Sequence, residues 1–303
     1  MGRALRLLGD FEAAVASHRK AIELDPADAD PHINLGAILA DNLGRHDEAR
    51  EEFREAIRLD PENAVAWNNL GAVLGVMERR EEAIDAFRRA LEHDPAYYGA
   101  RVRLALQLCH TGAYREAAEE FERALSLATS ERNKRMCRLD AATARRQLFL
   151  KLWEKGDHSG SIAELRRALE LCAGSPDEAV TRNNLAWALV AGPDESLRDP
   201  EEGLRHAEKA VELAPEDPTH VGTLGAACYR AGRLERAVEL LEKAFRLSEK
   251  WKGMALNRLI LGMALFELDR KTEALGELRR AQTYIERLPE EDPEVERFRK
   301  EAE

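Results

Sequence analysis

The sequence lacks the features of a secreted or membrane-spanning protein. Its four cysteines stand singly among 303 residues, with no C-x-x-C pair, which argues against a disulfide framework and against a zinc site. The longest uninterrupted apolar run, residues 185–191, is far shorter than the roughly 18 residues of a membrane span. The first residues contain no apolar core of a signal peptide. We therefore predict a cytoplasmic protein that does not enter a membrane.

The sequence also has few aromatic residues and no excess of positive charge. Aromatic residues make up 6% of the chain, charged residues 34%, and the net charge is −11. A nucleic-acid-binding protein needs a basic face, because phosphate neutralisation dominates its affinity. The acidic balance therefore predicts that nucleic acid is not a partner. The charged fraction exceeds the roughly 25% of ordinary globular chains, which is typical of a helix-rich protein with much exposed surface.

The motifs of common active sites are missing as well. The sequence contains no H-E-x-x-H, no G-x-x-x-x-G-K-[ST], no G-x-S-x-G and no strand-flanked glycine fingerprint. The eight histidines are dispersed, and the carboxylates lie along the polar faces of predicted helices. We therefore predict no catalytic residue, no metal and no cofactor, and interpret the chain as not an enzyme by itself.

What the sequence does have is a repeat. Residues 67–95 read W-x2-L-G-x2-L, then A-x3-F-x2-A, then P, which follows the signature of the tetratricopeptide repeat (TPR) almost position for position. The last alanine of this motif recurs at steps of 35, 34, 34, 44, 42, 34 and 37 residues. The chain therefore resembles the TPR family, whose period is 34 residues, along nearly its whole length. The recurring alanines are Ala21, Ala56, Ala90, Ala124, Ala168, Ala210, Ala244 and Ala281.

The resemblance implies an all-α fold, a right-handed TPR α-solenoid of about seven helical hairpins plus an N-terminal half repeat. We predict one continuous solenoid over 1–303, with two halves meeting at an elongated helix, roughly Glu131 to Lys155, as the alternative. A loop at 191–200 interrupts a later hairpin. The predicted segments are a partial first repeat (1–26), regular repeats (27–129), a repeat with the elongated first helix (130–175), repeats with insertions (176–289) and a charged, solvating C-terminal capping helix (290–303).

The half repeat at the start predicts an uncapped end. A second helix without its partner exposes Ala14 and Ile22, which a solenoid normally covers. Two explanations stay open at this point. Either the natural chain continues upstream, or another subunit covers this end, which makes self-association through the half repeat a prediction.

The first helices of TPR hairpins line a concave groove, and the resemblance implies the same here. The position before the first-helix leucine is rich in amides, which offer a peptide both donors and an acceptor. This pattern is similar to the asparagine ladder of O-linked N-acetylglucosamine transferases. Trp187 and Tyr229 are predicted either to anchor a ligand or to pack between helices. The candidate groove residues are Asn34, Asn69, Arg103, His110, Arg146, Gln147, Asn184, Trp187, Thr223 and Tyr229.

These observations favour a non-catalytic interaction scaffold that binds an extended peptide segment of a partner protein in its groove. The carboxylate clamp of chaperone-binding TPR domains matches only at Asn69 and Arg103, because its lysine positions are occupied by Ile33 and Gly99. An alternative function comes from residues 185–275, which resemble the TPR tails of large bacterial signalling proteins such as serine/threonine kinases. Under that interpretation the chain is a regulatory or sensory module of a larger protein.

Overall fold

The computed structural model describes residues 9–248, 254–286 and 293–302. Within these ranges it contains sixteen α-helices, one 3-10 turn and no strand. The helices in chain order are α1 (Phe11–Leu24), α2 (Ala29–Asp41), α3 (His46–Leu59), α4 (Ala64–Val76), α5 (Arg80–His93), α6 (Tyr98–His110), α7 (Tyr114–Leu127), α8 (Glu131–Glu154), α9 (His158–Cys172), α10 (Asp177–Ala191), α11 (Pro200–Leu213), α12 (Pro218–Arg230), α13 (Leu234–Leu247), α14 (Met254–Glu267), α15 (Lys271–Ile285) and α16 (Pro293–Ala302).

Helices α2 to α15 pair into seven hairpins, as predicted. The pairs α2–α3, α4–α5, α6–α7, α10–α11, α12–α13 and α14–α15 pack together, and Arg145 on α8 binds Glu164 on α9. Helix α1 is the second helix of the partial repeat and packs against α2. The chain is therefore an all-α TPR solenoid, and its elongated helix, α8, ends within one residue of the prediction.

The chain forms two compact units, Met1–Ala144 and Arg145–Glu303. The division falls inside α8, where the sequence allowed for a seam between two halves. In unit 1 the first helices α2, α4 and α6 are consecutive neighbours. In unit 2 the same holds for α10, α12 and α14. The prediction that a single solenoid runs through α8 stays a prediction.

Four of the seven hairpins have a glycine on the first helix that lies against a bulky side chain of the second. A Cβ atom built on Gly71 would lie 2.8 Å from Cε1 of Phe87, and one on Gly36 would lie 2.7 Å from Cε1 of Phe53. Both phenylalanines are 1% exposed. The glycine therefore lets the two helices approach until the ring lies on its backbone, which is why larger residues do not fit there.

A second link within the hairpins joins a basic residue to a glutamate. The second hairpin has Trp67 three residues before the leucine of its first helix. Four other hairpins have a basic residue at this position, which binds a glutamate on the second helix. The buried Arg145–Glu164 pair has an N···O distance of 2.5 Å, with side chains 5% and 4% exposed. The other pairs at these positions are His32–Glu52, Arg101–Glu120 and Arg258–Glu277.

Both ends of the described chain are more buried than expected. Ala14, which was expected to be exposed, is fully buried, and Ile22 is half-buried; α1 packs against α2. Helix α16 buries one face, with Val295 and Phe298 at 4% and 1% exposure, and its role as a C-terminal cap stays a prediction. The spacing of three between Val295 and Phe298 places both side chains on one face of the helix. The predicted first helix of the half repeat, in residues 1–8, lies outside the described residues.

Candidate functional site

In unit 1 the first helices present three parallel stripes of accessible residues. Each stripe follows the spacing i, i+4, i+7, i+11, which keeps its members on one face of an α-helix. All twelve residues are half-buried or exposed. We call this the open surface; it consists of Asp30, Asn34, Ala37 and Asp41 on α2, Val65, Asn69, Ala72 and Val76 on α4, and Gly99, Arg103, Leu106 and His110 on α6.

The amides of the open surface are partly engaged by the protein itself. Asn34, which is half-buried, donates through Nδ2 to the carbonyl oxygen of Asp30 at 2.8 Å. Asn69 accepts from Nδ2 of the buried Asn68 at 3.0 Å, and the Oδ1 atom of Asn68 accepts from Nη1 of Arg103 at 3.1 Å. Asn68 therefore fixes Asn69 on α4 and Arg103 on α6 relative to each other.

The sequence analysis missed Asn68, because it followed only the position before the leucine. A second asparagine one residue earlier was the available signal. Its burial at 2% exposure and its two hydrogen bonds make it the residue that orients its neighbours, rather than one that contacts a ligand.

Charge and apolar area are unevenly distributed over the open surface. The α2 stripe carries the carboxylates of Asp30 and Asp41, and the α6 stripe carries Arg103 and His110. Between them lie apolar side chains that are unusually exposed, with Val76 at 63% and Val65 at 46%. Isolated exposed apolar residues are ordinary, but several on one face indicate an interaction site.

In unit 2 the positions at the middle of the same surface are buried on α12 and α14, whereas Val180, Thr219 and Glu267 at its edges stay exposed. Thr223 is 4% exposed and Ile260 1%, whereas their counterparts in unit 1, such as Asn34 and Arg103, are accessible. We call this the covered surface; it consists of Val180, Asn184, Trp187 and Ala191 on α10, Thr219, Thr223, Ala226 and Arg230 on α12, and Leu256, Ile260, Met263 and Glu267 on α14.

Helix α16 lies on the covered surface. The ring of Phe298 stands 6.2 Å from the ring of Trp187, centroid to centroid, and the guanidinium of Arg230 lies 5.3 Å from the centre of the Phe298 ring. The same guanidinium binds the carboxylate of Glu301 at 2.6 Å. Arg297 donates from Nη2 to the carbonyl oxygen of Ala191 at the end of α10. Helix α16 therefore reaches all three first helices of unit 2, since it also packs against α14.

The remaining candidate residues of unit 2 are partly occupied by neighbouring helices. Tyr229 donates its hydroxyl to Oε1 of Glu267 at 2.8 Å, and burial, together with this bond, raises the pKa of Tyr229 to about 12. Arg146 binds Oδ2 of Asp177 at 3.0 Å. Gln147 is exposed and Asn184 is half-buried. Of the predicted groove residues, Asn34, Asn69, Arg103 and His110 lie on neighbouring first helices of unit 1 and are half-buried or exposed.

The described part of the chain offers no metal-binding arrangement. No group of three or more His, Cys, Asp or Glu side chains is placed to hold an ion there. All four cysteines are free thiols, and burial raises the pKa of Cys137, Cys172 and Cys228. A raised pKa keeps a thiol protonated and poorly nucleophilic.

Comparison with protein-family models agrees with the repeat pattern. Models described as TPR repeat and tetratricopeptide repeat match residues 2–42, 42–75, 64–97 and 195–250. The chain belongs to the tetratricopeptide repeat family. Membership of the TPR family supports a role as a protein-interaction scaffold. No curated protein sequence matches the chain, and no helix in its described ranges has the length and apolar character needed to cross a bilayer.

Solved TPR structures resemble parts of the chain. MamA is 25% identical, covers 56% of this chain and 94% of its own, and gives a TM-score of 0.44. YrrB, titled a TPR protein with an unusual peptide-binding site, is 21% identical, with coverages of 66% and 94% and a TM-score of 0.44. PilF of Pseudomonas aeruginosa is 17% identical, with coverages of 80% and 98% and a TM-score of 0.45.

Proposed function

We propose that the chain is a non-catalytic scaffold that binds an extended segment of a partner protein on the open surface of unit 1. The observation that carries the proposal is the set of three accessible stripes on neighbouring first helices, with Asn34, Asn69 and Arg103 at equivalent positions. Asparagine side chains can pair with both the N–H and the C=O of a peptide bond. Such contacts grip a backbone with little dependence on its side chains.

The charge distribution supports an orientation for the partner segment. A basic side chain of the partner fits beside Asp30 and Asp41 on α2, and an acidic one fits beside Arg103 and His110 on α6. Apolar side chains between them cover Val65 and its neighbours, which are exposed in the free protein. A shallow face of this kind supports micromolar binding, about −8 kcal/mol.

The proposal is tested with short peptides selected from a random phage-displayed library on the wild-type chain. Their dissociation constants are then measured by fluorescence polarisation against an Asn34→Ala/Asn69→Ala double variant. Each lost hydrogen-bonding amide is expected to weaken binding about tenfold. The matched control is Asn42→Ala/Asn133→Ala, which removes two amides outside the open surface. Equal affinity for the two double variants would refute the amide ladder.

A charge reversal tests the orientation separately. Arg103→Glu is expected to weaken peptides with an acidic residue at one end and to favour peptides in which that residue is replaced by lysine. Unchanged preference for the acidic peptides would show that α6 does not contact this end of the segment.

A further inference from the structure

We propose that the covered surface of unit 2 is a binding site for an amphipathic helix. Helix α16 occupies this site in the free chain, and a partner helix can displace it. The partner that fits is a helix with a branched aliphatic residue, an aromatic residue three positions later and a carboxylate three positions after that. This inference concerns a different surface and a different ligand conformation from the proposed function, so either can fail without the other.

The first line of support is the contrast between the two units. The stripe positions on α2, α4 and α6 are accessible, but the middle stripe positions on α12 and α14 are buried, with Ala226 at 2% and Met263 at 7% exposure. These residues belong to one apolar cluster with Val295 and Phe298 of α16. The covered surface of unit 2 therefore has an apolar centre, and a helix of this same chain already packs on it.

The second line of support is the chemistry of the contacts between α16 and the covered surface. Phe298 lies against Trp187 on one side, and the guanidinium of Arg230 stands over its ring. A cation over an aromatic face is attracted by the ring quadrupole. Because Arg230 also binds the carboxylate of Glu301 at 2.6 Å, one residue of the surface recognises both the aromatic and the acidic position of the helix. The surface therefore selects a helix motif rather than any apolar segment.

The third line of support is that α16 is short and leaves an open pocket beside the last hairpin. The helix has ten residues, shorter than the roughly 12–15 that an isolated helix needs for even marginal stability. A pocket of about 370 Å³ remains beside it, lined by Leu259, Leu278 and Gln282 of the last hairpin and by Arg299 and Ala302 of α16. A partner helix with a larger residue in the place of Ala302 would fill this pocket and compete with α16.

The test uses the full-length chain and a fluorescein-labelled peptide with the sequence of residues 290–303. In the wild type, the tethered α16 competes at an effective concentration of about millimolar, so the free peptide is expected to bind weakly. Phe298→Asp in the chain removes the central anchor and is expected to tighten peptide binding at least tenfold. Lys300→Asp, on the exposed side of α16, is the matched control and should bind like the wild type. Equally weak binding to all three chains would overturn the proposal.

A charge exchange identifies the surface that takes the peptide. In the Phe298→Asp chain, adding Arg230→Glu is expected to abolish the preference for the native peptide and to favour a peptide carrying Glu301→Arg. If the native peptide still binds more tightly than the Glu301→Arg peptide, the peptide binds elsewhere and the proposed site is wrong. An Ala302→Leu peptide is expected to bind several-fold tighter than the native one.

A variant that fails to fold does not remove the test. If circular dichroism shows that Phe298→Asp has lost helix content, Glu301→Arg in the chain replaces it, because that change breaks only the partly exposed pair with Arg230. It is expected to tighten binding of the native peptide by a smaller factor, about threefold to tenfold. The Asn34→Ala/Asn69→Ala variant should leave peptide binding unchanged, which separates this site from the open surface.

Discussion

At the scale of single residues, the hairpins have two kinds of contact at the position of Trp67, three residues before the first-helix leucine. Trp67 donates its indole N–H to the carbonyl oxygen of Pro61 at 2.8 Å, and the facing residue on the second helix is the buried Ala86. In three hairpins an arginine takes the place of the tryptophan and binds a glutamate of the second helix, as in Arg145–Glu164. The bulky apolar residue and the ion pair fill the same space between the helices, and each requires its own partner.

This pairing predicts a strongly non-additive response in the Arg145–Glu164 pair. Arg145→Met leaves the glutamate, which is 4% exposed, without its main partner and is expected to destabilise the protein by about 3–5 kcal/mol. Arg145→Met/Glu164→Leu removes both charges and is expected to recover most of that loss, because a packed apolar pair avoids the desolvation penalty. Urea denaturation measures both. A double variant as unstable as the single one would show that the pair contributes more than its desolvation costs.

Two histidines, the buried His220 and the half-buried His206, predict how stability changes with pH. Burial lowers the pKa of His206 and His220 below the ordinary value of 6.5, and Arg182 adds to the effect at His206. Near pH 6.5 these histidines therefore bind protons in the unfolded chain but stay neutral in the folded chain. Their neutral form contributes its full share to the free energy of unfolding above this pH, and that free energy falls as the pH drops below it. The urea midpoint is expected to decrease between about pH 7 and pH 5.5. His220→Gln should flatten that decrease, and an unchanged slope would assign it to other groups.

At the scale of helices, the effect of a helical glycine depends on whether it faces a partner helix. Gly71 lies under the ring of Phe87, whereas Gly276 on α15 has no atom within 4 Å of the position a Cβ would take. Alanine is the better helix former at both sites by about 1 kcal/mol. The two positions therefore separate helix propensity from packing within one protein.

We expect opposite signs for the same substitution at these sites. Gly71→Ala forces the fully buried Phe87 ring to move, and such overpacking costs about 1–3 kcal/mol, which outweighs the gain in propensity. Gly276→Ala is expected to stabilise the protein by up to about 1 kcal/mol, because nothing opposes the added methyl group. Thermal unfolding followed by circular dichroism measures both changes. A stabilising Gly71→Ala would mean that the hairpin tolerates a wider separation of its helices.

At the scale of the whole chain, the sequence predicted the features that repeat locally. The alanine spacing gave the seven hairpins, and the absence of proline and glycine gave the length of α8. The sequence could not predict where α16 packs. Trp187 and Phe298 are far apart in the chain, and no repeating pattern connects them. The spacing of Val295 and Phe298 was visible, but the many charges around them favoured a solvated helix. The arginine–glutamate pairs were equally hidden, since an arginine at the tryptophan position looks like a departure from the motif.

The division into two compact units leads to a prediction about how instability spreads. In a solenoid each repeat contacts only its neighbours, so stability is approximately a sum of local terms. Gly71→Ala in unit 1 and Gly225→Ala in unit 2 are matched changes, because a Cβ on Gly225 would lie 2.7 Å from Cγ of Leu241. Hydrogen exchange measured by mass spectrometry should quicken in α4 and α5 for the first variant and in α12 and α13 for the second, with little change in the other unit. If either variant quickens exchange equally in both units, they unfold as one cooperative body, and the continuous solenoid becomes the better description of the chain.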